Sequence, residues 1–244
     1  MSEITVVTGP MRSGTSGVTG LLERCGFDLG RAVRVLREPT ADNPRGDLEP
    51  DLLLAINARL LAEANVGDPH AIPDPATLLQ FAPQRERYFR YFIEKFDGDL
   101  IKDPMLCLTL PLWETRWHAL QRVVFCVRHP LEVARSTEKR YDVTRERGLE
   151  LWRIFTERFF ETPTRCRRFV FDFNAFRRAP RETFSVLLDW LGRAQSADEI
   201  DQHLAEIFGA QFVHWSFGET DLREVDDATR ALYRDVCARA GKEL

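Results

Sequence analysis

Thr5-Val-Val-Thr-Gly-Pro-Met-Arg-Ser-Gly-Thr-Ser-Gly17 is a short β-rich run that passes into a glycine-bracketed turn, and Val18, Leu21 and Leu22 follow at helical spacing. Strand, turn and helix in that order make a phosphate cradle: the turn's N–H groups converge on an anion and the helix presents its positive end. Gly9 and Gly14 stand five apart, as in G-x-x-x-x-G-K-[ST]. The Lys of that pattern is missing. Thr15 takes its place with Ser16 after it, and the nearest cation is Arg12, inside the loop. A nucleotide hydrolase needs that Lys on its β- and γ-phosphates and the next hydroxyl on Mg²⁺, so hydrolysis of a nucleoside triphosphate is disfavoured. The loop still suits a phosphate that carries a different transferable group.

Around this stretch the chain is 244 residues long, enough to bury a core without staples, and 30% charged residues with a net charge of −4 are ordinary for a globular protein. That balance gives no support for a nucleic-acid partner, so any anion site must be local. Cys25, Cys107, Cys126, Cys166 and Cys237 form no C-x-x-C pair. Their spacing suits reduced, buried thiols rather than a disulfide framework or a zinc site. No apolar run approaches the ~20 residues of a transmembrane helix, and no secretion signal precedes Ile4. A cytoplasmic location is expected, and no composition shift or linker divides residues 1–244 into a second domain.

Periodicity extends the pattern of the opening stretch. Helices are expected over residues 15–24, from Pro50 through Ala64, and over 84–96, 110–118, 131–140, 146–160 and 181–191. Short apolar strands are expected at 99–103, 122–128 and 168–173. Residues 27–49 read as a long surface-lying connection, and the proline-rich 67–83 as a second irregular stretch. The aromatic stripe Tyr88, Phe89, Phe92, Ile93 and Phe96 reads as core. Strands alternating with helices predict an α/β chain: a three-layer, P-loop-type fold with a central, mostly parallel sheet flanked by helices.

In open parallel sheets the ligand lies beyond the carboxyl ends of the strands. That rule selects the loop at 9–16, Lys102-Asp103-Pro104, Arg128-His129-Pro130 and Asp172. Two cations closing strands beside an anion loop suit a ligand with several negative groups. Asp172, at the end of Phe169-Val-Phe-Asp172, imitates a Mg²⁺ carboxylate and keeps a nucleotide-dependent kinase or hydrolase as an alternative, although such an Asp more commonly caps a following helix.

Arg12-Ser-Gly-Thr-Ser16 resembles the 5′-phosphosulfate loop of the sulfotransferases that use 3′-phosphoadenosine 5′-phosphosulfate (PAPS), in the form with Arg in place of Lys. Arg128-His-Pro-Leu-Glu-Val-Ala-Arg-Ser136 resembles their 3′-phosphate motif. Asn43-Pro-Arg-Gly-Asp-Leu-Glu49 and Ile101-Lys-Asp-Pro-Met105 resemble segments of the bacterial branch, and the four occur in family order over roughly residues 4–190. The resemblance implies PAPS as donor, with 3′-phosphoadenosine 5′-phosphate (PAP) as product and no metal requirement. It implies a hydroxyl or amine acceptor on a small molecule, carbohydrate or lipid, and is compatible with a homodimer.

By the same resemblance, Arg12 lies by the bridging oxygen and 5′-phosphate, and Ser13, Gly14, Thr15 and Ser16 donate to that phosphate. Lys102 reaches the sulfuryl oxygens, Arg128 and Ser136 hold the 3′-phosphate, and Glu49 is the base, with Asp47 and Asp51 behind it. Pro104 stands where cytosolic members have a catalytic His, and His129 belongs to the 3′-phosphate motif rather than to proton transfer. Gly17 stands where those members stack adenine on a Trp, which leaves the adenine contact unassigned. The 27–47 and 67–83 stretches are expected to shape the acceptor pocket, with Trp113, Trp117 and Trp152 either lining it or in the core. A nucleotide-binding protein without catalysis is the remaining alternative.

Overall fold

The computed structural model describes residues 3–40, 43, 46–65, 72–208 and 219–244. Its sheet has four parallel strands, β1 (Ile4–Thr8), β2 (Leu100–Lys102), β3 (Leu120–Val127) and β4 (Arg167–Asp172), in the order β2-β1-β3-β4. Every residue of β1 is buried, as expected for a strand covered on both faces. Alternate side chains divide the core into two layers. Val6, Ile101, Val123, Phe125 and Val170 face one layer, and Val7, Leu100, Val124, Cys126 and Phe171 face the other.

The second of these layers is closed by α1 (Thr15–Arg24), α8 (Phe173–Arg178), α9 (Pro180–Leu191) and α10 (Ala197–Ile207). The first is closed by α2 (Asp51–Ala64), α4 (Glu86–Lys95), α5 (Leu106–Glu114), α6 (Pro130–Tyr141), α7 (Arg145–Glu161) and α11 (Asp227–Ala238). Here Phe89, Phe92 and Trp113 pack edge to face. The aromatic stripe is core, and Trp113, Trp117 and Trp152 are buried within it.

Three stretches differ from expectation. The helix expected at 110–118 is α5 and begins at Leu106, because the Asp103 carboxylate accepts the Met105 N–H at 2.8 Å and starts the turn there. Pro111, which resembles a helix start, lies inside it. In the described part of 67–83, prolines open helices: Pro75 begins α3 (Pro75–Phe81), capped by Asp74 accepting the Thr77 N–H, and Pro83 lies in a 3₁₀ turn, Ala82–Arg85. Residues 67–71 of the region lie outside the described residues.

The connection at 27–49 is not wholly superficial. Phe27, Leu29, Val33 and Leu48 are buried, and the Asp97 and Asp99 carboxylates accept backbone N–H groups from Asp28, Arg31 and Ala32. Its apolar anchors follow no period, so the pattern hides them. After β4, Asp172 caps the N-terminus of α8 by accepting from the Asn174 and Ala175 N–H groups.

Candidate active site

From β1 the chain runs to β2 on one side and then returns to β3 on the other, so successive connections diverge beyond the ends of β1 and β3, where open sheets form a crevice. The loop after β1 lies there. Gly9, at φ +150°, has no room for a side chain, since a Cβ would sit 2.3 Å from the Cys126 carbonyl oxygen of β3. Gly14 is the N-cap of α1 in the left-handed region, and no side chain caps that helix. Its first N–H groups therefore lack both an intrahelical acceptor and a side-chain cap, and Gly14, Thr15, Ser16 and Gly17 line a cleft. Ser13 Oγ is buried without a hydrogen-bond partner among the described residues.

The same cleft is lined by Arg12, Glu49, Lys102, Arg128 and Ser136. Of the residues given a donor-binding or catalytic role by the resemblance, all line the cleft except Ser13, which is buried within the loop. Arg12 Nε donates to Ser136 Oγ at 2.9 Å, and Arg128 Nη1 donates to the Arg12 carbonyl at 3.3 Å. The loop and the β3 end thus form one wall. Arg12 takes φ +69°, unfavourable for a residue with a Cβ, and these two bonds hold it there.

Arg128 is itself held from behind. Its Nε donates to Glu132 Oε2 at 2.6 Å, and Glu132, fully buried on the next turn, also takes Arg177 at 2.8 Å through both oxygens. Burial disfavours the charged form of Arg128, and the Glu132 charge is the first influence opposing it. An anion in the cleft would oppose it further. His129 caps α6 instead of facing acid–base work: its Nδ1 accepts from the Leu131 N–H, its own N–H donates to Asn174, and burial lowers its pKa.

Lys102 Nζ lies 2.5 Å from Glu49 Oε1, with both side chains almost wholly buried. Glu49 is placed by a short ladder in which its carbonyl accepts from Leu36 and the Leu48 N–H donates back to the Leu36 carbonyl. Asn43 ties this segment to the loop. Its Nδ2 donates to the Gly46 carbonyl at 2.6 Å, to Asp47 Oδ1 at 3.0 Å and to Ser16 Oγ at 3.3 Å. Pro44 and Arg45 of this motif lie outside the described residues. Asp47 lines the cleft, whereas Asp51 opens α2 away from the lining. Behind Lys102, the buried Asp103 accepts from Asn57 at 2.7 Å, and burial followed by the Glu49 charge pushes its carboxyl up to about 7.

Four lining side chains escape the sequence reading: Phe173, Phe208, Lys139 and Tyr141. A Cβ on Gly17 would lie 2.6 Å from the Phe208 ring, and one on Gly14 would lie 2.4 Å from the Phe173 ring. The two glycines therefore admit a pair of aromatic rings that lie far downstream in the chain. The sequence held one hint, the bare Gly17, but nothing to say which distant ring fills the space. Lys139 and Tyr141 come from the last turn of α6, beyond the stretch that carries the motif.

No protein-family model and no curated protein matches the chain. Among solved structures it is similar to sulfotransferase STF9 from Mycobacterium avium, with a TM-score of 0.51 at 14% identity, covering 100% of this chain and 78% of that one. The sulfotransferase domain of the Synechococcus PCC 7002 olefin synthase superposes with a TM-score of 0.48 at 17% identity over 98% of this chain and 88% of that one. The sulfotransferase domain of the curacin biosynthetic pathway gives 0.46 at 13%, over 100% and 99%. The fold is that of the sulfotransferases.

Proposed function

We propose that the protein is a single-domain sulfotransferase that uses PAPS as donor and a hydroxyl or amine as acceptor. The observation that carries this reading is the joining of Arg12, Ser136 and Arg128 into one cationic wall over an uncapped helix start. Such a wall suits a nucleotide with phosphates at two ends. The buried Ser13 Oγ and the two glycines that admit no Cβ fit a loop closing on a phosphate.

In this reading Gly14, Thr15 and Ser16 donate to the 5′-phosphate, Arg128 and Ser136 hold the 3′-phosphate, and the Phe173 and Phe208 rings offer an apolar wall for adenine. When bound, PAPS supplies a sulfuryl group whose bond to the 5′-phosphate oxygen breaks as the acceptor oxygen or nitrogen bonds to sulfur, leaving PAP. Glu49 takes the acceptor's proton, and Arg12 and Lys102 offset the negative charge that grows on the transferred and leaving oxygens. The Glu49–Lys102 contact sets both groups at one point of the cleft.

The test is the 3′-phosphate. Arg128→Ala should weaken PAP binding roughly tenfold to a hundredfold, the worth of a charge-assisted bond, while AMP binding changes little. Calorimetry showing equal losses for both would refute the assignment. The kinase alternative has less support, because the Asp172 carboxylate caps α8. Mg²⁺-dependent ATP turnover would revive it, and PAP binding without sulfation of any acceptor would favour a non-catalytic role.

A further inference from the structure

Beside the cleft lies a second cavity of about 650 Å³, between α2, α5, α7 and the turn after α6. The two share Met11, at the tip of the phosphate loop. The cavity's walls are apolar: Leu61 on α2, Leu108 on α5, and Leu151 and Phe155 on α7. Ala58 and Ala62, one turn apart on α2 and both exposed, line its rim, and a phenylalanine at either has the reach to cover it. Polar groups stand at one side of these walls in Asn65, Asp142, Thr144 and Arg147.

Position links this chamber to the chemistry. α2 starts two residues after Glu49, and Met105, three residues after Lys102, is in its lining. Met11 and Met105 are unbranched and adaptable, suited to a wall that a variable ligand must pass. A hydroxyl reaching Glu49 past Met11 would have its remaining body in the chamber. Against Leu61, Leu108, Leu151 and Phe155 the hydroxyls of a carbohydrate find no partners, at a cost for each, whereas an alkyl or ring-system body gains from burial.

We propose that the chamber receives the apolar body of the acceptor, so that the substrate class is a hydroxylated hydrocarbon chain or ring system and not a sugar. This rests on the sulfotransferase reading. The acceptor hydroxyl gives its proton to Glu49 and gains the sulfuryl group as PAP leaves, while the hydrocarbon stays in the chamber.

The experiment uses the full chain with hexan-1-ol, octan-1-ol and decan-1-ol as probes and methyl β-glucoside as the polar control. Binding is read by displacement of an anilinonaphthalene fluorophore with and without PAP, and turnover with labelled PAPS. Affinity is expected to rise about fourfold per added methylene until the chamber is full, with the glucoside silent. Ala58→Phe and Ala62→Phe, on an exposed stretch of α2, should each weaken decanol binding at least tenfold while PAP affinity stays unchanged. PAP bound normally, with alcohol affinity flat in chain length or untouched by both substitutions, overturns the chamber and leaves the donor assignment standing. Length-dependent decanol binding that both substitutions abolish, with no affinity for PAP, upholds the chamber as an apolar site and removes the donor assignment.

Discussion

Glu49 and Lys102 lie 53 positions apart in the chain and meet at 2.5 Å in a nearly dry setting. Removing one partner of such a pair leaves the other buried and uncompensated, which costs about 3–5 kcal/mol. Activity and stability therefore respond together. With Glu49 as the proposed base, Glu49→Gln should lower kcat roughly a hundredfold or more and should also lower the melting temperature. Lys102→Met should do likewise, and the double variant should be less damaged than the two single losses summed, because the residues are in contact. A cycle measured by kcat and by denaturant unfolding checks this, and strict additivity in both would separate the pair. Arg128 depends on its neighbours in a similar way: Glu132 aims it and Arg177 shares that carboxylate, so the cation facing the cleft is fixed from the rear.

At the scale of elements, the cleft is lined where the chain leaves the carboxyl ends of the four strands, joined by the segment that carries Glu49 and by Phe208. The loop after β1 and the start of α6 after β3 were legible, because a glycine-bracketed turn and an apolar run closed by Arg128-His-Pro130 are local patterns. The segment from Asn43 to Pro50 was legible only as a motif. Its shape comes from Asn43 bridging Ser16 to Gly46 and Asp47, and from the ladder to Leu36. Asn43→Ala should free this segment from the loop and cost about 1 kcal/mol of stability. It is expected to lower kcat several-fold while PAP affinity stays within about threefold. An equal loss in PAP affinity would mean that Asn43 serves the nucleotide rather than Glu49. The errors in α5 and in 67–83 share one origin. Prolines open helices as readily as they interrupt them, and Asp103 and Asp74 decided which, through side-chain bonds that periodicity does not register.

For the whole molecule, the buried Asp103 couples the site to pH. Its folded pKa of about 7 lies above the ordinary carboxylate value near 4, so between these values the folded protein keeps a proton that the unfolded chain has lost. The stabilising contribution is full below about pH 4 and is lost as pH rises through 7. Asp103→Asn, which cannot ionise, should gain stability relative to the parent as pH goes from 5 to 8. Thermal melts across that range check this, and a constant difference would place the titration elsewhere. All five cysteines are free, four are buried, and burial pushes Cys25 and Cys166 up to about 11, which leaves them largely unreactive at neutral pH.

By itself the sequence determined the α/β class, the glycine-bracketed turn between β1 and α1 and the cations that close the strands, because each is written in contiguous residues whose backbone preferences and period are local. Only the tertiary structure decided that Glu49 pairs with Lys102, that Phe208 covers Gly17 and that an apolar chamber opens beside Met11. Those are contacts between distant segments, fixed when the two core layers pack against the sheet, and no local preference encodes which distant side chains the packing brings together.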